Sequence, residues 1–221
     1  MFEKLYANRF ELFLTSQVAI LFGSLIVPPV VFETLLEPVL FLMNILAGIL
    51  LISKKTKLMW FCISILILCT LAFGISTISS KEYRELGFVR MAGYFLFYAV
   101  VSSEIIKQIW YAKRVNKNVI FGLASGYISL GLIGFFICLT IELIVPGSFQ
   151  GGLLEELDKT AMLAEELMYF SFITLMTIGY GDILPVTAIA QKATMFIGLM
   201  GQFYLVIITA VVVEKYISQN K

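Results

Sequence analysis

Apolar residues in this chain do not recur with the spacing of a single buried face; they come in long uninterrupted blocks. Leu12 to Val31, Leu58 to Ser80, Val119 to Ile141 and Ala193 to Val213 are free of charge. Each reaches the ~20 residues that a helix needs to cross ~30 Å of hydrocarbon. Leu35 to Ser53 and Met91 to Tyr111, the second carrying Glu104 and Lys107 near its end, bring the expectation to six spans. Short polar stretches separate them. Pro28-Pro29 removes two backbone donors and closes the first span. Thr34-Leu-Leu-Glu37 followed by Pro38 reads as a capping box opening the second. Between spans five and six the pattern changes. Pro146 to Asp158 is polar and rich in turn residues, and Ala161 to Leu175 is amphipathic but too short to span. That run predicts a re-entrant helix that dips part way into the bilayer and hands over to Thr177-Ile178-Gly179-Tyr180-Gly181-Asp182, after which Pro185 opens span six. Non-helical backbone at membrane depth is tolerated only where protein buries it or it lines a water-filled cavity. The glycine-bearing stretch is therefore expected to line something wet.

Composition agrees with a membrane protein: 60% of the 221 residues are hydrophobic and 14% are charged, against roughly 45–50% and 25% in soluble domains. The formal net charge of +1 says little, but the placement of charge does. With both termini cytoplasmic, most of the 16 lysines and arginines fall on the inner side, among them Lys54, Lys55, Lys57, Lys107, Lys113, Arg114 and Lys117. Most acids then fall outside, among them Glu82, Glu85, Glu142, Glu155, Glu156, Asp158, Glu165, Glu166 and Asp182, a rim that would concentrate cations. The start of the chain is mixed in charge and its first apolar run is long, so an anchor rather than a cleaved signal is expected. There is no histidine, and Cys62, Cys69 and Cys138 lie singly inside apolar runs, so a zinc site or a histidine-based triad within this chain alone is excluded. No enzymatic chemistry and no nucleic-acid partner is expected.

Glycine permits backbone conformations that other residues resist, so Gly179 and Gly181 allow the carbonyls of Thr177, Ile178, Gly179 and Tyr180 to turn toward one axis. Four chains around that axis would stack rings of oxygen able to replace the hydration shell of a potassium ion, with the Thr177 hydroxyl closing the stack on the inner side.

Thr177 to Gly181 resembles the signature Thr-(Val/Ile)-Gly-Tyr-Gly of potassium channels, continued by Asp182 and Pro185. The chain is similar to subunits of the six-span, one-pore-loop superfamily, closely over Val119 to Tyr216 and by span count alone before that. The resemblance implies an all-α integral membrane fold, six transmembrane helices with a re-entrant pore helix and selectivity filter, assembling as a homotetramer in the cell membrane. It implies a four-helix unit over 1–111, a cytoplasmic linker over 112–118 and a pore unit over 119–221. Potassium ions bound by the filter carbonyls are the only cofactor implied. Tyr169 and Phe170 stand where the family often has two tryptophans. The Tyr169 hydroxyl would reach Asp182, whereas Phe170 offers Tyr180 no hydrogen bond, which implies a softer support for the filter. Gly201 occupies the family's hinge position, with Gly198 beside it; close packing by a small residue is the alternative. In that register Gln202, Leu205 and Thr209 face the inner cavity.

Voltage-gated relatives carry a basic residue at every third position of span four. Here Arg90 is followed by an uncharged run to Glu104, so little voltage dependence is expected. Glu104 and Lys107, one turn apart, are expected to form a solvated pair at the inner interface. The basic linker is explained by the positive-inside rule or by contact with anionic lipid. The competing readings are a non-selective cation channel, which usually alters the Tyr or the second Gly, and a non-conducting or transporter-type potassium subunit.

Overall fold

A computed structural model describes residues 2–28, 31–78, 84–151 and 160–219. The chain divides into two compact units, residues 1–126 and 127–221. The expected linker, 112–118, lies inside the first.

The first unit contains α1 (Phe2–Ala7), α2 (Arg9–Phe22), α3 (Glu37–Ile52), α4 (Thr56–Ile78), α5 (Arg84–Tyr111) and the opening turns of α6 (Lys117–Ile144). Its core is aromatic and aliphatic: Phe13, Ile20, Ile45, Phe97, Val101 and Ile105 are all buried. One polar network crosses it. Tyr98 Oη donates to Asn44 Oδ1 at 2.7 Å, and Asn44 Nδ2 donates to Ser16 Oγ at 2.7 Å and to the Phe13 carbonyl at 3.2 Å. Asn44 is fully buried, and an amide in apolar surroundings is tolerated because both its ends are paired. Gly48 lets α3 approach α5 at the Phe97 ring, and Gly93 lets α5 approach α4 at Cys69.

Three expectations change here. The first predicted span is a 14-residue helix, α2, followed by a single 3₁₀ turn over Gly23–Leu25. The capping box at Thr34 does not form. Helix is continuous from Val31, and Phe32–Leu36 is a π turn in which the Glu37 amide reaches the Phe32 carbonyl. The cause is Pro38: it lacks the amide that would bond to Thr34, so the ladder loosens upstream instead of starting afresh. Finally, Glu104 does not pair with Lys107 in a solvated contact. It is buried, and its Oε2 accepts from Lys55 Nζ at 2.8 Å. The partner comes from the α3–α4 turn, distant in sequence and so hidden from a one-turn rule.

The second unit holds the rest of α6, then β1 (Phe149–Gly151), α7 (Thr160–Leu175), β2 (Ile183–Pro185), α8 (Ala188–Phe203), a π turn over Tyr204–Ile208 and α9 (Thr209–Ser218). β1 and β2 pair antiparallel with Phe149 opposite Pro185 and Gly151 opposite Ile183. This small sheet qualifies the all-α expectation. Three-residue strands carry no period-2 signal, and the pairing joins positions far apart in sequence. α7 lies against α6 through small residues: Gly131 faces the Phe172 ring, and Gly134 faces Ser171 and Ile197. The buried Ser171 hydroxyl donates to the Gly131 carbonyl at 2.8 Å.

Among the described residues, five helical stretches are long and apolar enough to cross a membrane: Thr34–Ile52, Thr56–Ser76, Glu85–Tyr111, Lys117–Ile144 and Ala188–Ser218. The side chains of Glu82, Glu155, Glu156 and Asp158, expected at an acidic rim, lie outside the described residues, as does Pro29.

Candidate functional site

α7 ends at Leu175, and the chain beyond it turns sharply without leaving the helix end. The amide of Met176 donates to the Phe172 carbonyl at 2.9 Å and that of Thr177 to Thr174 at 3.0 Å. Ile178 and Gly179 both donate to Ile173, at 2.9 and 3.3 Å. Every peptide here is trans. In a planar trans peptide the carbonyl points opposite to the amide that follows it. The carbonyls of Met176, Thr177 and Ile178 therefore face away from α7.

Backbone handedness alternates through the same stretch. Thr177 has φ +58°, Gly179 +56° and Gly181 +81°, with Ile178 and Tyr180 between them at negative φ. The two glycines adopt the left-handed region freely, but a β-branched residue such as Thr177 does so at a cost of roughly 1–3 kcal/mol. All of residues 176–182 are exposed on this chain, Tyr180 by 72%. A Cβ built on Gly179 or Gly181 meets open space.

Two sets of contacts hold this strip. On the α7 side, Tyr169 Oη donates to Asp182 Oδ2 at 2.6 Å, which pushes the phenol up to about 12. Glu166, one turn earlier, has its carboxyl raised above the usual range by burial, then by the charges of Asp182 and Glu165. Phe170 is buried and packs edge-on against Phe149 at 5.2 Å. On the far side, the Leu175 carbonyl accepts from Tyr127 Oη at 3.2 Å and rests directly on Gly201. Gln202 Nε2 donates to Thr177 Oγ1 at 3.3 Å, bringing one of the expected cavity residues onto the strip. Leu205 is exposed and Thr209 half-buried in this chain. Gly198, unlike Gly201, has open space where a Cβ would go.

The sequence did not point to a third support. Glu142, counted there among the rim acids, uses its carboxylate on two amides: Gly147 at 2.6 Å and Phe149 at 3.0 Å. That clamp sets up β1. The Val186 amide donates to the Ser148 carbonyl at 2.9 Å, and Thr187 Oγ1 donates to Ser148 Oγ at 3.0 Å while accepting from the Ala190 amide to cap α8. The chain leaving Asp182 is thus moored to residues 142–151. Only the capping Thr187 before an apolar run would have been readable in advance.

Residues 140–218 match the family model described as "Ion channel". The match supports an ion channel of the pore-loop kind, and together with the apolar helices it supports a membrane protein. No curated protein and no solved structure matches the chain.

Proposed function

We propose that the chain is one of four identical subunits of a potassium-selective channel, with Thr177, Ile178, Gly179, Tyr180 and Gly181 as its selectivity filter. The observation that carries this reading is the orientation of the strip: amides 177–179 turn onto α7, their preceding carbonyls turn outward, and the whole face is exposed. Bare carbonyls cannot be left facing lipid. Copies of the same strip, set around an axis, satisfy them with cations in place of water.

In this arrangement a potassium ion entering from the outer mouth exchanges its hydration shell for rings of carbonyl oxygen, and the Thr177 hydroxyl forms the innermost ring. Conduction is passive, since several ions share the rings and repel one another onward. Asp182 and the carboxylates near it raise cation concentration at the mouth. Tyr169 fixes Asp182, Phe170 wedges β1 against α7, and Gln202 lies at the inner edge with Leu205 and Thr209 farther along the cavity. Gly201 and Gly198 mark where the inner helix bends on opening. Both termini are cytoplasmic, and six segments span the cell membrane, the first of them short.

Purified protein in liposomes tests this. A potassium flux blocked by barium, with a reversal potential that follows the potassium gradient and ignores sodium, is expected. Equal sodium permeability would replace this reading with a non-selective pore, and absence of flux with a non-conducting subunit.

A further inference from the structure

The first unit contains a second polar site, unrelated to the pore-loop strip. A cavity of about 460 Å³ opens between the start of α2, the end of α5 and the start of α6, within the ~300–1,000 Å³ of ordinary ligand pockets. Its lining includes Arg9, Lys113 and Arg114, together with Gln108, Asn116 and Asn118; none of the described lining residues is acidic. Two acids on the same helices are already engaged, Glu11 by Lys117 at 3.2 Å and Glu104 by Lys55 at 2.8 Å. Arg9 is held in place by Tyr6 and Phe10: its guanidinium lies 4.2 and 4.8 Å from their ring centres, and one terminal nitrogen donates to the Tyr6 carbonyl at 3.0 Å. Its Nε is buried and makes no hydrogen bond among the described residues. Asn116 Oδ1 accepts from the Val119 amide at 3.2 Å, so the positive end of the 28-residue helix α6 opens at the same cavity.

The positive-inside rule accounts for basic residues near this interface. It does not account for three of them converging on one concave surface together with amide donors and a helix N-terminus. We propose that this cavity binds a phosphate oxyanion, with Arg9, Lys113 and Arg114 as its charged ligands. The headgroup of an anionic phospholipid and a soluble phosphorylated anion share that chemistry. Assigning the lipid rests on the cytoplasmic placement of the linker proposed above, whereas binding itself does not depend on conduction.

The test uses the full chain and two double variants, Lys113→Gln/Arg114→Gln in the cavity and Lys57→Gln/Lys107→Gln as a control that removes the same charge from exposed positions elsewhere. Binding is read by thermal unfolding in phosphatidylcholine nanodiscs with and without a phosphoinositide, and in detergent with inorganic pyrophosphate. The unchanged chain and the control are expected to be stabilised, and the cavity variant to bind about tenfold more weakly or worse. Stabilisation by phosphoinositide alone assigns a lipid headgroup; stabilisation by pyrophosphate as well assigns phosphate from either source. Absence of stabilisation in both arms overturns the site. So does an equal loss in the two variants, because that is the behaviour of diffuse surface charge. No arm requires current, so a chain that binds but does not conduct removes the channel reading and leaves this one.

Discussion

Thr177 carries a strained backbone, and the Tyr169–Asp182 bond lies at the other end of the same strip, so single atoms there bear on the whole loop. Replacing Tyr169 by Phe removes the 2.6 Å bond and frees Asp182. Current decay during sustained opening is expected to accelerate several-fold, and unchanged decay would show that the strip needs no such tether. Phe170→Trp tests the other aromatic. Phe170 is buried on α7 against Phe149, so the larger ring overpacks and costs about 1–3 kcal/mol in thermal unfolding. Glu166 gives a pH prediction. Burial and neighbouring acids raise its folded pKa above 4.5, so the folded chain binds this proton more tightly than the unfolded one. The stability so contributed is present at acid pH and is lost as pH rises through the interval above 4.5. Protonation also removes a negative charge beside Asp182. Conductance in dilute potassium is therefore expected to fall as pH drops through the raised value, and Glu166→Gln is expected to give a lower conductance with that step absent.

At the scale of elements, α8 and the β1–β2 pair position the strip from opposite sides. A methyl group on Gly201 collides with the Leu175 carbonyl, a backbone atom that cannot move without shifting the end of α7. Gly201→Ala is expected to lower stability by about 1–3 kcal/mol, whereas Gly198→Ala, with open space around it, gains helix propensity and is neutral or stabilising by up to about 1 kcal/mol. Paired thermal melts read this; equal effects would mean that packing against Leu175 is not what fixes Gly201. Glu142→Ala removes the acceptor for two amides, each worth roughly 1.5–3 kcal/mol to a charged group, and Glu142→Gln, keeping one carbonyl oxygen, costs less. Hydrogen exchange of the amides at 149–151, 183 and 184 is expected to quicken, more in Glu142→Ala than in Glu142→Gln.

For the whole molecule, the proposed filter requires an assembly of identical chains, and the arrangement of charge in the first unit leads to the expectation of a weak response to voltage. Moving one charge through the field is worth ~2.3 kcal/mol per 100 mV, and steep gating takes three or four per subunit. α5 offers Arg90, near the Phe73 ring at 5.9 Å, and then no basic residue until Lys107. The purified protein is expected to run as a tetramer with an open probability nearly flat in voltage. A monomer by native mass spectrometry would refute the assembly, and a steep rise with depolarisation would refute the account of gating.

Much of this was legible in the chain itself. Uncharged blocks of membrane length specify helices because lipid leaves the backbone no other way to satisfy its amides, and a Gly-Tyr-Gly interruption at that depth has few physical meanings. The short run before Thr177 is helical, as expected, over Thr160–Leu175. Contacts between segments far apart in sequence were not legible: Lys55 with Glu104, the pairing of β1 with β2, and Arg9 meeting Lys113 and Arg114 around one cavity. Local pattern reports which residues must leave water, since that depends on each side chain and its neighbours in sequence. Which buried or charged groups then meet depends on chain geometry across many residues, and only the folded structure decides it.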